Sequence, residues 1–399
     1  DSLRLFFNNG GGDGFIVSVG FYGTTPSYGD EADPSDLGLR NGIKALETYD
    51  EPTLILFPDA VNVVTNGSDD PGFYHLQQMA LQQCGELKDR FCIFDLKENI
   101  SGDYNLAVQN FRDRIGTSNL KFGAVYSPFL ISSFHNDPNL SSFVNSVYNS
   151  VGESLSLQEL CSTSPETALL NAYSEASDEE TRIALQRMLY QGTGVISQIA
   201  TAIKKKLGTL PPQGSIADLN AMVDSSRGVW QAPATFCVNG IIGLTKEISK
   251  GEQVDLNVHN SGRSINAIRF FPGKGILVWG ARTLAGNDNE WRYVPVRRFF
   301  IMVEESVNKA CAPFVFEPNV ASTWVRLQMM IENYLNGLWR NGGLAGAMPD
   351  DAFFVRVGLG ETMTAQDILE GRIIIEIGLS AVRPAEFIII KFSLQMEES

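Results

Sequence analysis

The sequence predicts an α/β first half joined to an α+β second half. Three observations carry that expectation. Strands that are apolar throughout alternate with amphipathic helices up to about residue 126. A helical stretch follows over 136–207. The remainder mixes two long amphipathic helices with short strands, two of them rich in Ile. Apolar strands separated by helices point to a parallel sheet covered on both faces. At 399 residues, the chain has room for two or three domains.

Residues 3–7 read as the end of a helix, closed by Asn8-Asn9-Gly10-Gly11-Gly12, since glycine tolerates the angles of a C-cap. Residues 15–19 (FIVSV) read as a buried strand, 38–48 as a short helix and 53–57 (TLILF) as a second strand. A helix over 74–87, a strand over 90–95, a helix over 104–114 and a strand over 123–126 complete the alternation. In the helical stretch, 165–176 follows Ser164 as N-cap, with Pro165 at the tolerated first position. Helices over 178–190 and 195–207 come next, the latter ending in Lys204-Lys205-Lys206, which complement the helix dipole. This region reads as an insertion on the α/β domain. Leu210-Pro211-Pro212-Gln213-Gly214 then breaks the chain. The expected domains are 1–207 and 208–399.

Beyond the break, 276–279 reads as a strand and 296–310 as a helix. Asn319 is placed to cap a helix over 320–340, with Trp324, Leu327, Ile331, Leu335 and Leu338 as its apolar stripe. Residues 353–357, 372–377 (RIIIEI) and 387–392 (FIIIKF) read as strands. Ile-rich strands close to a chain end would aggregate at an exposed edge unless covered or paired with another chain.

Charge divides the molecule. Residues 1–200 carry 11 Lys+Arg against 26 Asp+Glu, while 201–399 carry 20 of each, so the whole net charge of −15 lies in the first half. That argues against nucleic-acid binding there. All five Trp (230, 279, 291, 324, 339) lie in the neutral half. The loop from Asp30 to Asp36, with four acids beside Gly29 and Pro34, reads as exposed. Five scattered Cys (84, 92, 161, 237, 311) make neither a disulfide framework nor a zinc site, and a reducing cytoplasm is expected. No apolar run approaches the roughly 18 residues of a membrane span, and no signal peptide is recognised. The chain opens without Met inside an apolar-periodic element, so a preceding N-terminal part is expected.

Catalytic motifs are weak. Phe271-Pro272-Gly273-Lys274-Gly275 lacks P-loop spacing and reads as a tight turn. Asn9-Gly10-Gly11-Gly12-Asp13-Gly14 precedes its strand, the wrong order for a dinucleotide fingerprint. The three His (75, 135, 259) form no motif, and His75 reads as a surface residue. Asp59 and Asp95 end sheet strands, where α/β enzymes place catalytic groups, but Asp in such places more often caps a loop or helix. No cofactor and no metal are expected.

The second-half segments LPPQGSIADLNAMVDSSRGVWQAPA (210–234), INAIRFFPGKGILVWGARTL (265–284), WRYVPVRRFFIMVEESV (291–307), FEPN (316–319), TWVRLQMMIENYLNGLWRNGGLAGAMPDDAFFVR (323–356) and IEIGLSAVRPAEFIIIKF (375–392) resemble the contractile tail sheath family of phage tails and contractile injection systems. RLFFNNGGGDGFIVSVG (4–20), LILFPDA (54–60) and DRFCIFDL (89–96) match in the first, and 136–207 matches weakly. The resemblance implies a structural subunit that polymerises around an inner tube and contracts to drive it through a target membrane. It implies an outer acidic domain with the helical insertion and an inner sheath C-terminal domain with strand exchange between subunits. Phe387, Ile388, Ile389, Ile390, Lys391 and Phe392 would form the exchanged strand. Arg326, Asn333, Gly337 and Arg340, opposite the apolar stripe, would face the tube. Expected partners are neighbouring subunits, the tube protein, and baseplate and terminator proteins, with no nucleic acid and no membrane insertion. Assembly is expected in the bacterial cytoplasm, as part of a phage tail or injection particle. Two other readings stand beside it: an α/β hydrolase of a phosphorylated small molecule, using Asp59 and Asp95, and a baseplate adaptor sharing the inner domain.

Overall fold

The structure, a computed structural model, describes residues 1–21, 25–30, 33, 38–63, 71–98, 102–134, 137–143, 147–148, 154–161 and 164–386. Along the chain run helices α1 (Ser2–Asn8), α2 (Leu39–Ala45), α3 (Pro71–Leu87), α4 (Tyr104–Arg114), α5 (Ser164–Glu175), α6 (Glu179–Gln191), α7 (Val195–Leu207), α8 (Gln213–Arg227), α9 (Lys250–Asn257), α10 (Val294–Cys311) and α11 (Ala321–Arg340). The strands are β1 (Leu54–Ile55), β2 (Phe91–Asp95), β3 (Gly123–Ser127), β4 (Leu130–Ser132), β5 (Thr209–Leu210), β6 (Ile241–Leu244), β7 (Asn266–Phe271), β8 (Gly275–Val278), β9 (Phe353–Arg356) and β10 (Glu376–Leu379). Short helical turns and one small strand pair lie between them. No described helix is long and apolar enough to cross a membrane.

The chain divides into two compact units: Phe129–Pro211 with Gly240–Lys246, and Ser2–Pro128 with Pro212–Asn239 and Glu247 onward. In the larger unit the sheet order is β1-β2-β3-β7-β8. β1, β2, β3 and β7 are parallel, with Asp95 opposite Tyr126 and Tyr126 opposite Asn266. Every residue of β2 and β3 is buried, as unbroken apolar runs require of a sheet covered on both faces. β8 returns antiparallel through Gly273-Lys274-Gly275, where both glycines hold positive φ, so the expected tight turn is a hairpin. This sheet takes strands from both sides of residue 208, where the sequence reading divides the chain. Pro211-Pro212 is where the chain passes from the smaller unit into the larger one, and it leads directly into α8.

A second core of the same unit joins α10 and α11 to the antiparallel pair β9–β10. Phe299, Val303, Ile331, Leu335, Leu344, Ala352, Phe353 and Val355 fill it, with Trp230 edge-on to Phe299. In the smaller unit, β4 lies between β5 and β6, all antiparallel. Helices α5, α6 and α7 enclose Leu140, Phe143, Leu157, Leu170, Tyr173, Leu189 and Ile196. Asp178 caps α6 by accepting from the Thr181 N–H. Glu166 of α5 accepts from the N–H groups of Val195 and Ile196 and so caps α7 from outside.

Four local expectations change. Residues 15–19 form no strand: Phe15 and Ile16 face solvent, and Val19 instead packs over Gly42, where a Cβ would come within 2.4 Å of its Cγ1. α5 begins at Ser164, one residue before the expected start. Val320, not Asn319, is the N-cap of α11, because the Asn319 side chain is engaged elsewhere: its Oδ1 accepts from Trp324 Nε1 and its Nδ2 donates to the Arg372 carbonyl. The strand expected over 372–377 runs instead from Glu376 to Leu379, where pairing with β9 sets its limits.

Candidate assembly surfaces

The amphipathic pattern of α11 fixes what it leaves outside. Thr323, Leu327, Ile331 and Leu335 recur every four residues and are buried. The opposite face is exposed and carries Arg326, Asn333, Gly337 and Arg340, the four residues expected there, together with Val325 and Met329. Arg326 pairs with Glu317 and lies over the Phe314 ring, 5.4 Å from its centroid. Val315, Phe316 and Val320, just before the helix, are exposed too, and Phe316 holds a positive φ of 73°. The surface is thus apolar near the start of α11 and basic along it. The sequence reading picked out its charges but not Phe316, which stands in the FEPN segment.

The pair β9–β10 is the second candidate surface. Its register places Phe353 opposite Leu379 and Arg356 opposite Glu376. On β9, Phe353 and Val355 point into the core while Phe354 and Arg356 face out. Among the described residues the pair has no third strand. Two-stranded sheets are marginal alone, and here packing on α11 supplies the support. Such a pair offers backbone N–H and C=O groups to an added strand. Residues 387–392, the expected exchanged strand, lie outside the described residues.

The candidate catalytic carboxylates are not brought together as a metal site; among the described residues no three His, Cys, Asp or Glu side chains gather as one. Asp59 is exposed in a helical turn after β1. Asp95 is fully buried, and its Oδ1 accepts from the Gln213 N–H at 3.1 Å. Gln213 Oε1 in turn accepts from Phe57 N at 2.8 Å. Asp95 therefore caps α8, a helix 118 residues away. Burial drives its pKa well above the usual carboxylate range. A cleft of about 300 Å³ beside α10 has its charges already paired, Arg298 with Asp224 and Lys309 with Asp50 and Glu305. His75 is exposed, and its ring stacks on Tyr28.

Residues 286–395 match the phage tail sheath C-terminal domain family. The chain is 29% identical to a chain of the anti-feeding prophage baseplate structure, covering 99% of this chain and 80% of that one with a TM-score of 0.63. It is 28% identical to a chain of the PVC sheath complex, an extracellular contractile injection system in the contracted state, at the same coverage and TM-score. Over 138 residues it is 26% identical to the tail sheath protein of Vibrio phage KVP40; the match spans 34% of this chain and 20% of that protein. These matches make the chain similar to contractile tail sheath proteins, by family model over its C-terminal part and by structure over nearly its whole length. Its relatives are structural sheath components rather than enzymes.

Proposed function

We propose that the chain is a sheath subunit that polymerises around an inner tube and contracts to drive the tube through a target membrane. The observation that carries this reading is the likeness to injection-system chains over 99% of its length. In this reading, residues 387–392 of one copy add a strand to β9–β10 of a neighbour. Main-chain hydrogen bonds suit that task, because they hold neighbours together while the globular parts shift. The exposed face of α11 meets the inner tube, and baseplate and terminator proteins cap the polymer. The acidic first half faces outward; Asp30 and Asp33 are exposed in keeping with this. Assembly takes place in the bacterial cytoplasm.

Electron microscopy of the purified chain, whole and lacking 387–399, tests the proposal. Striated sleeves are expected from the whole chain, and soluble, unpolymerised subunits from the truncated one. Single rings from the whole chain would favour an adaptor, and featureless monomers would overturn the reading. Normal sleeves from the truncated chain would remove the strand exchange.

A further inference from the structure

The chain leaving β10 is held at two places. First, the Ser380 carbonyl accepts from Ala345 N at 2.7 Å, and Ala381 bridges to Leu344, beside the α10–α11 core. Then the chain crosses to the five-stranded sheet, where Glu386 meets Arg282, just past β8. Arg282 Nε donates to both Glu386 oxygens at 2.9 and 3.1 Å, and Nη2 donates to Oε2 at 2.6 Å. Tyr293 OH and Asn257 Nδ2 donate to the same carboxylate. The Arg282 side chain is 5% exposed and that of Glu386 17%.

Arg282 is itself fixed. Its backbone N–H donates to Asn266 Oδ1 and its carbonyl accepts from Asn266 Nδ2, both at 2.7 Å, so β7 grips its main chain. Nη1 donates to the Gly286 carbonyl at 3.1 Å. A guanidinium held this way presents a fork to a carboxylate with little freedom left to lose. Glu386 is also the last described residue before the segment 387–399.

We propose that Arg282 is a positioning residue for that segment: by holding Glu386 it fixes the point from which residues 387–399 depart. The inference rests on the reading of the chain as a sheath subunit that lends residues 387–392 to a neighbour. The two attachments respond differently to a pull on the segment. The backbone contacts of Ser380 and Ala381 would peel open one at a time. The clasp at Glu386 lies between them and the pull. It passes load through Arg282 and Asn266 into β7, whose neighbours in the sheet share it. The strand can then be drawn on during contraction without unravelling its own subunit.

The test uses the full chain with Arg282→Met, Arg282→Lys and Glu386→Gln. In unassembled protein, amide exchange over 381–386 should quicken on the order of 10- to 100-fold in Arg282→Met and Glu386→Gln, the worth of hydrogen bonds to a charged group. Arg282→Lys should fall between, and β2 and β3 should exchange as before. Assembled sleeves of the first two variants should come apart at lower urea than wild type. Unchanged exchange over 381–386, acceleration spread evenly over the chain, or sleeves as urea-resistant as wild type would each overturn the inference. If Arg282→Met does not fold, Glu386→Gln keeps the side-chain shape and carries the test. Failure of the underlying reading shows separately, as normal sleeves from the chain lacking 387–399.

Discussion

Helices α8 and α11 belong to the same unit and solve opposite problems. α8 buries every residue from Gln213 to Asn220, polar and apolar alike. α11 is five residues longer and buries only four, at a spacing of four. α8 is an interior strut: Asp95 caps its start, and Arg298 donates to Asn220 and Asp224 along it. α11 is half interior and half surface. The difference teaches where this molecule can meet others. The first two turns of α8, enclosed by their own chain, leave no face for a partner, whereas α11 keeps one complete face.

The largest effect should come from breaking the inner half of α11. Leu335 is fully buried among Phe299 and Ile331. Leu335→Ala should cost about 2–5 kcal/mol in chemical denaturation. Asn333→Ala, on the other face, should stay within about 0.5 kcal/mol. Similar losses at the two positions would erase the distinction between the faces.

A smaller and pH-dependent effect belongs to α8. Asp218 is fully buried beside Asn9, and burial pushes its pKa up to about 7. The folded state therefore holds a proton that the unfolded chain, titrating near 4, releases. The neutral carboxyl's stabilisation is fully present at low pH and is lost as pH rises through about 7. The urea midpoint should fall between pH 5 and pH 8, apart from other titrations. Asp218→Asn should flatten that part of the slope and raise the midpoint at pH 8. An unchanged slope would mean that water reaches Asp218.

The smallest effect on the fold, and the most informative for assembly, comes from the outer face of α11. Arg326→Glu combined with Arg340→Glu should shift stability by no more than about 0.5 kcal/mol per site. Co-assembly with the tube protein should weaken, more at low salt where repulsion is less screened. Co-purification unchanged at low salt would remove this face from the tube contact.

These contrasts also explain what was legible in the sequence. β2 and β3 were readable because unbroken apolar runs have few other uses, and α7 because its three terminal Lys mark a helix end. The stripe of α11 was readable from its periodicity. α8 was not: its buried face carries Gln213, Ser215, Asp218 and Asn220, which look like surface residues until their partners are known. The FIVSV segment misled in the other direction, since apolar residues predict a strand only where a neighbouring strand is available. The exposed face of α11 could be located from periodicity alone. The Arg282–Glu386 clasp could not, because its two halves stand 104 residues apart and neither belongs to a motif.

The sheet order carries a consequence for synthesis. β3 pairs with β7 through Tyr126 and Asn266, and everything between them must leave the ribosome first. At 5–20 residues per second, that interval is roughly 7 to 30 seconds. Throughout it, the nascent chain holds β1, β2 and β3 with one long edge unclosed, while the smaller unit emerges almost whole. Such a stretch of time favours pairing with the wrong strand, including that of another nascent copy. Slowing translation between residues 127 and 266 should therefore lower soluble yield more than the same pause placed after residue 278.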